Sequence, residues 1–195
     1  MKKTLFSLLI LCTIFACNQT TSKTENKKEN RPESQLKFIK LLGNIYDNCL
    51  EQKNEIALKE AADSGKVKVT TFITDTLKGE LKNWKGKVYN IEVDELDGAA
   101  VVTLMVSKFG TFNDENPEFD ATLFRQRIFD DKIKDKVKLL TKGDDVSFSA
   151  TFDVSNKDEN GNIEISTLHD TFKEGDVFAE AMFDILLNDI KKSQK

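Results

Sequence analysis

The pattern in this chain that comes nearest to site chemistry is Asn156-x-Asp158-x-Asn160-Gly161-x-Ile163. Oxygen-bearing side chains at alternate positions, a Gly at the sixth and an Ile at the eighth are what a calcium loop uses to wrap donors around one ion. Calcium takes roughly six to eight oxygens, and the strongest donors are missing here. The first position is Asn156 where Asp would serve best, and the twelfth is Thr167 where a bidentate Glu is needed. The flanks are strand-like, and Asn160-Gly161 is a hairpin turn signal because both residues tolerate positive φ. The segment is therefore expected to be a turn. No metal site is assigned, and Asn156, Asp158 and Asn160 are the residues that would form one.

The other clusters are less organised. Asp114, Glu115, Glu118 and Asp120 crowd one loop and could act as an acid–base pair or hold a cation. Loop carboxylates of this kind are usually solvated. His169 has Asp170 and Ser166 near it, but neighbours along a strand point to opposite faces, so a converging triad is not implied. With one His in the whole chain, a Cys/His zinc set is excluded. No Gly-rich phosphate loop follows a strand. The expectation is a protein that binds and does not catalyse, without a cofactor.

Charge narrows the partner. The formal net charge is −4, and loss of Lys2 and Lys3 with a cleaved signal takes it to −6. Nucleic-acid affinity comes largely from Lys and Arg displacing counterions, so no nucleic-acid partner is expected. Arg125 and Arg127, which share one face if they lie in a strand, are the best case against that expectation. Phe109 and Phe112 are the nearby aromatics that could stack on bases, and barrel core is the expected place for both.

The N-terminus carries an address. Lys2 and Lys3 precede the apolar run Leu5–Ala16, and Cys17 follows directly, the layout of a secretory signal. Ile14-Phe15-Ala16-Cys17 resembles a bacterial lipobox, in which cleavage leaves a lipid-modified Cys17 as the new N-terminus. Buried acyl methylenes contribute about 0.8 kcal/mol each, so several chains on one Cys anchor firmly. Asn18 in place of Asp points to the outer membrane. Residues 17–33 are polar and cannot bury enough surface to offset their ordering entropy, which makes them a flexible tether. Cys49 lies at helical spacing with Ile45 and Tyr46, as a buried small hydrophobe would.

Elements follow from periodicity. Ser34 is the expected N-cap of a helix through Leu36, Ile39, Leu42, Ile45, Tyr46, Cys49 and Leu50, running to about Ala62. Asp63-Ser64-Gly65 is the expected stop. Lys66–Ile73 alternates and is β-branched, so a strand is expected there, while Thr76–Lys82 fits a helical turn or a strand. Val88, Tyr89, Ile91 and Val93 form the first clear strand. Asp97-Gly98 marks a hairpin, and Ala100–Val106 returns. Phe109–Asn113 suits a short third strand. Phe129, Ile133, Val137 and Leu140 form one face of a helix, with Gly143 as its expected αL cap. Strands are expected at Asp144–Val154 and Ile163–Thr167. The tail fits two readings: Phe178, Ala181, Met182, Ile185 and Leu186 have helical spacing, whereas Phe183, Ile185 and Leu187 alternate.

Three strands, a helix and two strands is the order of an OB-fold, a five-stranded Greek-key barrel. The stretch resembles the bacterial OB-fold proteins of the tRNA anticodon-binding-like group. The similarity rests on Asn83-Trp84-Lys85-Gly86-Lys87-Val88 with Ile91, on Asp97-Gly98, on Leu123-Phe124, and on Gly143-Asp144-Asp145-Val146-Ser147-Phe148-Ser149-Ala150-Thr151-Phe152. It implies an α+β protein with an OB barrel and makes Phe183–Ile190 its closing strand. The expected organisation is a signal at 1–16, a tether at 17–33, a helical preface at 34–82 and an OB-fold-like domain at 83–195. The expected role is a lipid-anchored envelope protein binding a protein, peptide or glycan. A cation- or stress-related binder and a hydrolase are the alternatives.

Overall fold

A computed structural model describes residues 31–108, 121–166 and 175–193. The chain divides at Asn30, and Arg31–Lys195 forms one compact unit. Among the described residues its architecture is α+β: a closed five-stranded barrel with three α-helices. The helices are α1 (Glu33–Leu50), α2 (Glu55–Thr71) and α3 (Asp131–Val137). The strands are β1 (Glu80–Val93), β2 (Ala100–Lys108), β3 (Ala121–Ile128), β4 (Asp145–Phe152) and β5 (Met182–Lys192). They pair in the order β1-β2-β3-β5-β4 and close between β4 and β1. Every pairing is antiparallel except β3 with β5.

Alternation along the strands sorts core from surface. Val146, Phe148, Ala150 and Phe152 of β4 face inward, as the period-2 pattern requires, and meet Leu104, Phe124, Phe183 and Ile185. Val154, expected to extend that face, lies past the strand and is exposed. Gly86 lets the first two strands approach, since a Cβ there would stand 3.0 Å from the Met105 carbonyl oxygen. Ile133, Val137 and Leu140 close the barrel end where β3 finishes and β4 begins. Phe129, expected on that helical face, is 76% exposed, because Asp130 caps α3 one residue later by accepting from the Lys132 and Ile133 N–H groups. Gly143 does adopt a positive φ of 90°, but beyond the helix, where its N–H donates to the Val88 carbonyl.

The N-terminal helices differ from expectation in instructive ways. One long helix to Ala62 is replaced by two, because Asn54 N-caps α2 and accepts from the Ala57 N–H at 2.9 Å. Pro32 takes the N-cap of α1, and the Ser34 hydroxyl accepts instead from the Trp84 indole N–H at 3.2 Å. Lys66–Ile73 is helical, not a strand, and passes into a π-helical turn over Phe72–Thr76. Ala62, Gly65, Val69, Ile73 and Leu77 recur at steps of three and four and all bury. That stripe outweighs the local β propensity, as tertiary packing routinely does.

Gly65, expected to stop the helix, lies inside it for a packing reason. A Cβ there would come within 2.5 Å of Ile45 Cγ2 and 2.8 Å of the Phe178 ring. Replacing an interior Gly by Ala gains about 1 kcal/mol of helix propensity. Overpacking costs about 1–3 kcal/mol and should prevail, because the Phe178 ring is fully buried. Gly65→Ala is therefore expected to lower the urea midpoint, and a raised midpoint would show that Ile45 and Phe178 have room to yield.

The strand assignments also shift. Phe109–Asn113 lies outside the described residues, and the third barrel strand is Ala121–Ile128. Its inward positions include Gln126, whose side-chain oxygen accepts from the Leu187 N–H at 2.6 Å. Ile163–Ser166 of the expected strand is not a barrel strand: Ile163 and Ser166 make isolated bridges to Lys157 and Met182, and Thr167 lies outside the described residues. The fifth place belongs to β5, where the alternating reading of the tail holds and the helical one does not.

Candidate functional site

The outer face of β3 gathers the polar groups that combine charge with exposed apolar surface. The β2–β3 register sets Thr103 opposite Arg125 and Val101 opposite Arg127, all on the outside of the barrel. Both guanidiniums are held. Arg125 lies beside Asp184 in the parallel β3–β5 register, and its Nε donates to that carboxylate at 3.1 Å. Arg127 forks: one NH group donates to Asp94 at 2.6 Å and the other to Asp97. Asp94 and Asp97 belong to the β1–β2 turn, where Gly98 has a φ of 73°. The turn is fixed by the Asp94 N–H on the Ala99 carbonyl at 2.8 Å and by Asp97 accepting from the Ala99 N–H at 3.0 Å.

Around these pairs lies apolar surface that the barrel leaves open. A shallow pocket of about 200 Å³ is lined by Arg125, Arg127, Phe129, Asp153, Asn156, Asp184 and Leu186 among others. Phe129 and Leu186 are well exposed there, and Leu96, at the tip of the Asp94–Gly98 turn, is 95% exposed.

The turn beside Arg127 should respond to acid. The Asp97 carboxyl is held below the usual carboxylate range, first by the Ala99 N–H, with partial desolvation opposing and the Arg127 guanidinium assisting. A lowered folded-state pKa means its stabilising contribution is complete above the unfolded value of about 3.9. That contribution is lost as pH falls through the folded value. The Ala99 amide resonance is expected to titrate below that ordinary value, and a titration at or above it would contradict the Asp97 contact.

The remaining expected residues separate. Asp158 spends its carboxylate on its own turn, accepting from the Asn160 N–H at 2.9 Å, the Asn162 N–H at 2.8 Å and the Asn162 amide at 3.3 Å. Gly161 has the positive φ of a turn. The Asn156 side-chain amide donates to Asp184 at 3.5 Å, away from the Asp158 turn. Among the described residues no group of three or more His, Cys, Asp or Glu side chains could hold a metal ion. The Ser166 hydroxyl donates to the Met182 carbonyl at 3.3 Å. Cys49 is buried in the core beside Gly175. Cys17, Asp114, Glu115, Glu118, Asp120, Thr167, His169, Asp170, Phe109 and Phe112 lie outside the described residues.

The shared face of Arg125 and Arg127 is legible in the sequence. Their carboxylate partners are not, because only strand pairing brings Asp184, Asp94 and Asp97 beside them. Comparison with protein-family models, with curated proteins and with solved structures yields no match.

Proposed function

We propose that this chain is a lipid-anchored OB-fold protein that binds a protein or peptide partner in the cell envelope through the outer face of β3 and β5. The OB-fold reading is supported by the strand order β1-β2-β3-β5-β4 with α3 between β3 and β4. Anchoring is supported by Lys2, Lys3, the apolar run and Ala16-Cys17, and Asn18 favours the outer membrane. Among the described residues no helix is long and apolar enough to cross a membrane.

The single observation behind the partner class is the pair of carboxylate-held arginines beside exposed Phe129 and Leu186. Arg and aromatic side chains are enriched where proteins bind proteins. A phosphate backbone would instead have to displace Asp184, Asp94 and Asp97, against a mature charge of −6. A glycan is the weaker fit, since Phe129 offers one ring to stack on.

Fluorescence anisotropy with single-stranded RNA and DNA at low salt is expected to show no micromolar binding, because single strands are held by cationic grooves and exposed aromatics together. Salt-sensitive binding lost in an Arg125→Ala, Arg127→Ala double variant would overturn the partner class. In parallel, Cys17→Ser should abolish fatty-acid labelling and membrane fractionation, and retention of both would remove the anchor from this reading.

A further inference from the structure

The seam between β3 and β5 stops short, on the face described above. Its parallel ladder pairs Leu123 with Met182, Phe124 with Phe183 and Arg125 with Asp184, and among the described residues it goes no further. Backbone groups alternate from side to side along a strand. The Leu123 N–H points to β5, where it donates to the Ala181 carbonyl at 2.8 Å. The N–H and C=O of Arg127, four residues on, therefore point the same way. Across from them, the Leu187 N–H is taken by the Gln126 side chain at 2.6 Å and not by a β3 carbonyl. The opposite side of β3 is filled by β2 as far as Ile128. At Arg127, β3 thus presents a strand edge that no described strand covers. The pocket of about 200 Å³ opens beside that edge, with Phe129 and Leu186 exposed in its wall. Charge on this surface does not balance. Asp184 holds Arg125, and Asp94 and Asp97 hold Arg127. The Asp153 carboxylate, also in the pocket wall, accepts from the N–H and hydroxyl of Ser155 and, among the described residues, pairs with no cation. Two guanidiniums therefore face four carboxylates.

We propose that the partner of this face is an extended peptide segment that adds as a strand along β3 at Arg127. It seats one large apolar side chain between Phe129 and Leu186 and sets a Lys or Arg against Asp153. The inference rests on the β3–β5 face being the docking surface, and it names what docks there. In strand addition the main chain supplies affinity and alternate side chains supply specificity. Here the Arg127 N–H and C=O offer the main-chain pair, the pocket takes the apolar side chain, and the surplus of carboxylates selects the basic one. Both side chains lie on the outer face of the added strand, so they stand two residues apart. An acidic segment would meet like charge. A helix could not use the edge, because its own main-chain groups are spent internally.

The test uses the full chain carrying Cys17→Ser and a displayed library of random heptapeptides. Selected peptides are expected to carry Lys or Arg two residues from a large apolar residue. Asp153→Asn should weaken them about fivefold, the effect of one exposed ion pair, and Leu186→Ala about tenfold through lost apolar contact. Arg127→Glu sets a carboxylate against Asp94 and Asp97, displaces the strand edge and should abolish binding. Glu51→Gln, an exposed change of equal charge to Asp153→Asn, should leave binding intact, and unchanged circular dichroism would show that each variant is folded. Amide exchange isolates the strand contact. With a selected peptide at saturation, the Arg127 amide should exchange at least about tenfold more slowly, the effect of one added hydrogen bond. The Gln126 amide, on the β2 side, should not change. Selected peptides without a basic residue, or an Arg127 amide that exchanges as before, would overturn strand addition by a basic segment, and the face itself would stand if Leu186→Ala still weakened binding. No enrichment, or binding indifferent to both Asp153→Asn and Leu186→Ala, would remove the face and the proposal together.

Discussion

Phe38→Ala is expected to destabilise the protein by about 3–5 kcal/mol, the cost of emptying a fully buried aromatic site. Phe38 comes from α1, yet its ring lies 5.6 Å from Trp84, 5.5 Å from Phe183, 6.0 Å from Phe152 and 6.3 Å from Phe124. Those four rings belong to four different barrel strands, so the helix supplies a member of the barrel's own core. Domains are stable by only about 5–15 kcal/mol, so a loss of this size would unfold a large fraction of molecules under mild denaturant. Lys37, the preceding residue, makes a solvent-exposed pair with Glu33 at 2.7 Å. Lys37→Ala should change stability by less than about 0.5 kcal/mol. Urea unfolding of the two variants checks the contrast. Similar midpoints would mean that α1 is not part of the barrel core.

Gln35→Leu should rank next, at about 2–4 kcal/mol. Gln35 is fully buried, donates to the Lys85 carbonyl at 2.5 Å and accepts from the Lys85 N–H at 2.9 Å. Leu fills similar space but leaves two backbone groups without partners, each costing about 1–3 kcal/mol. Gln35→Glu keeps the acceptor but sets a second acceptor against the part-buried Lys85 carbonyl, so it should also destabilise. Amide hydrogen exchange at Lys85 gives the local readout. Exchange there should accelerate in Gln35→Leu, and protection equal to the parent would contradict the amide contact.

How much of this was legible beforehand depends on where each residue's partners sit. The β4 run was readable because Val146, Phe148, Ala150 and Phe152 alternate with small polar residues and all bury. β3 was hidden because Gln126 faces inward and Arg125 and Arg127 face outward, which blurs the hydrophobic period. In α2 the β propensity of Val67, Val69, Thr70 and Thr71 competes with the stripe from Ala62 to Leu77, whose packing partners, α1 and Phe178, are distant in sequence. Gly65 looked like a stop for the same reason: an interior glycine and a terminal one differ only in what packs on them. At the candidate site, the two arginines were visible as sharing a face. Their neutralisation and the exposure of Phe129 and Leu186 depend on strand register and on the cap at Asp130, which local pattern does not encode.

On the proposed function, the outer face of β3 and β5 is where this protein meets its partner. A photo-activatable amino acid placed at Leu186, and separately at the more exposed Leu139 as an apolar control, tests it in intact cells. A discrete protein adduct is expected from Leu186 that disappears when Arg127→Glu is added, with no such adduct from Leu139. Adducts of equal yield from both positions, or an adduct at Leu186 that Arg127→Glu leaves unchanged, would contradict it.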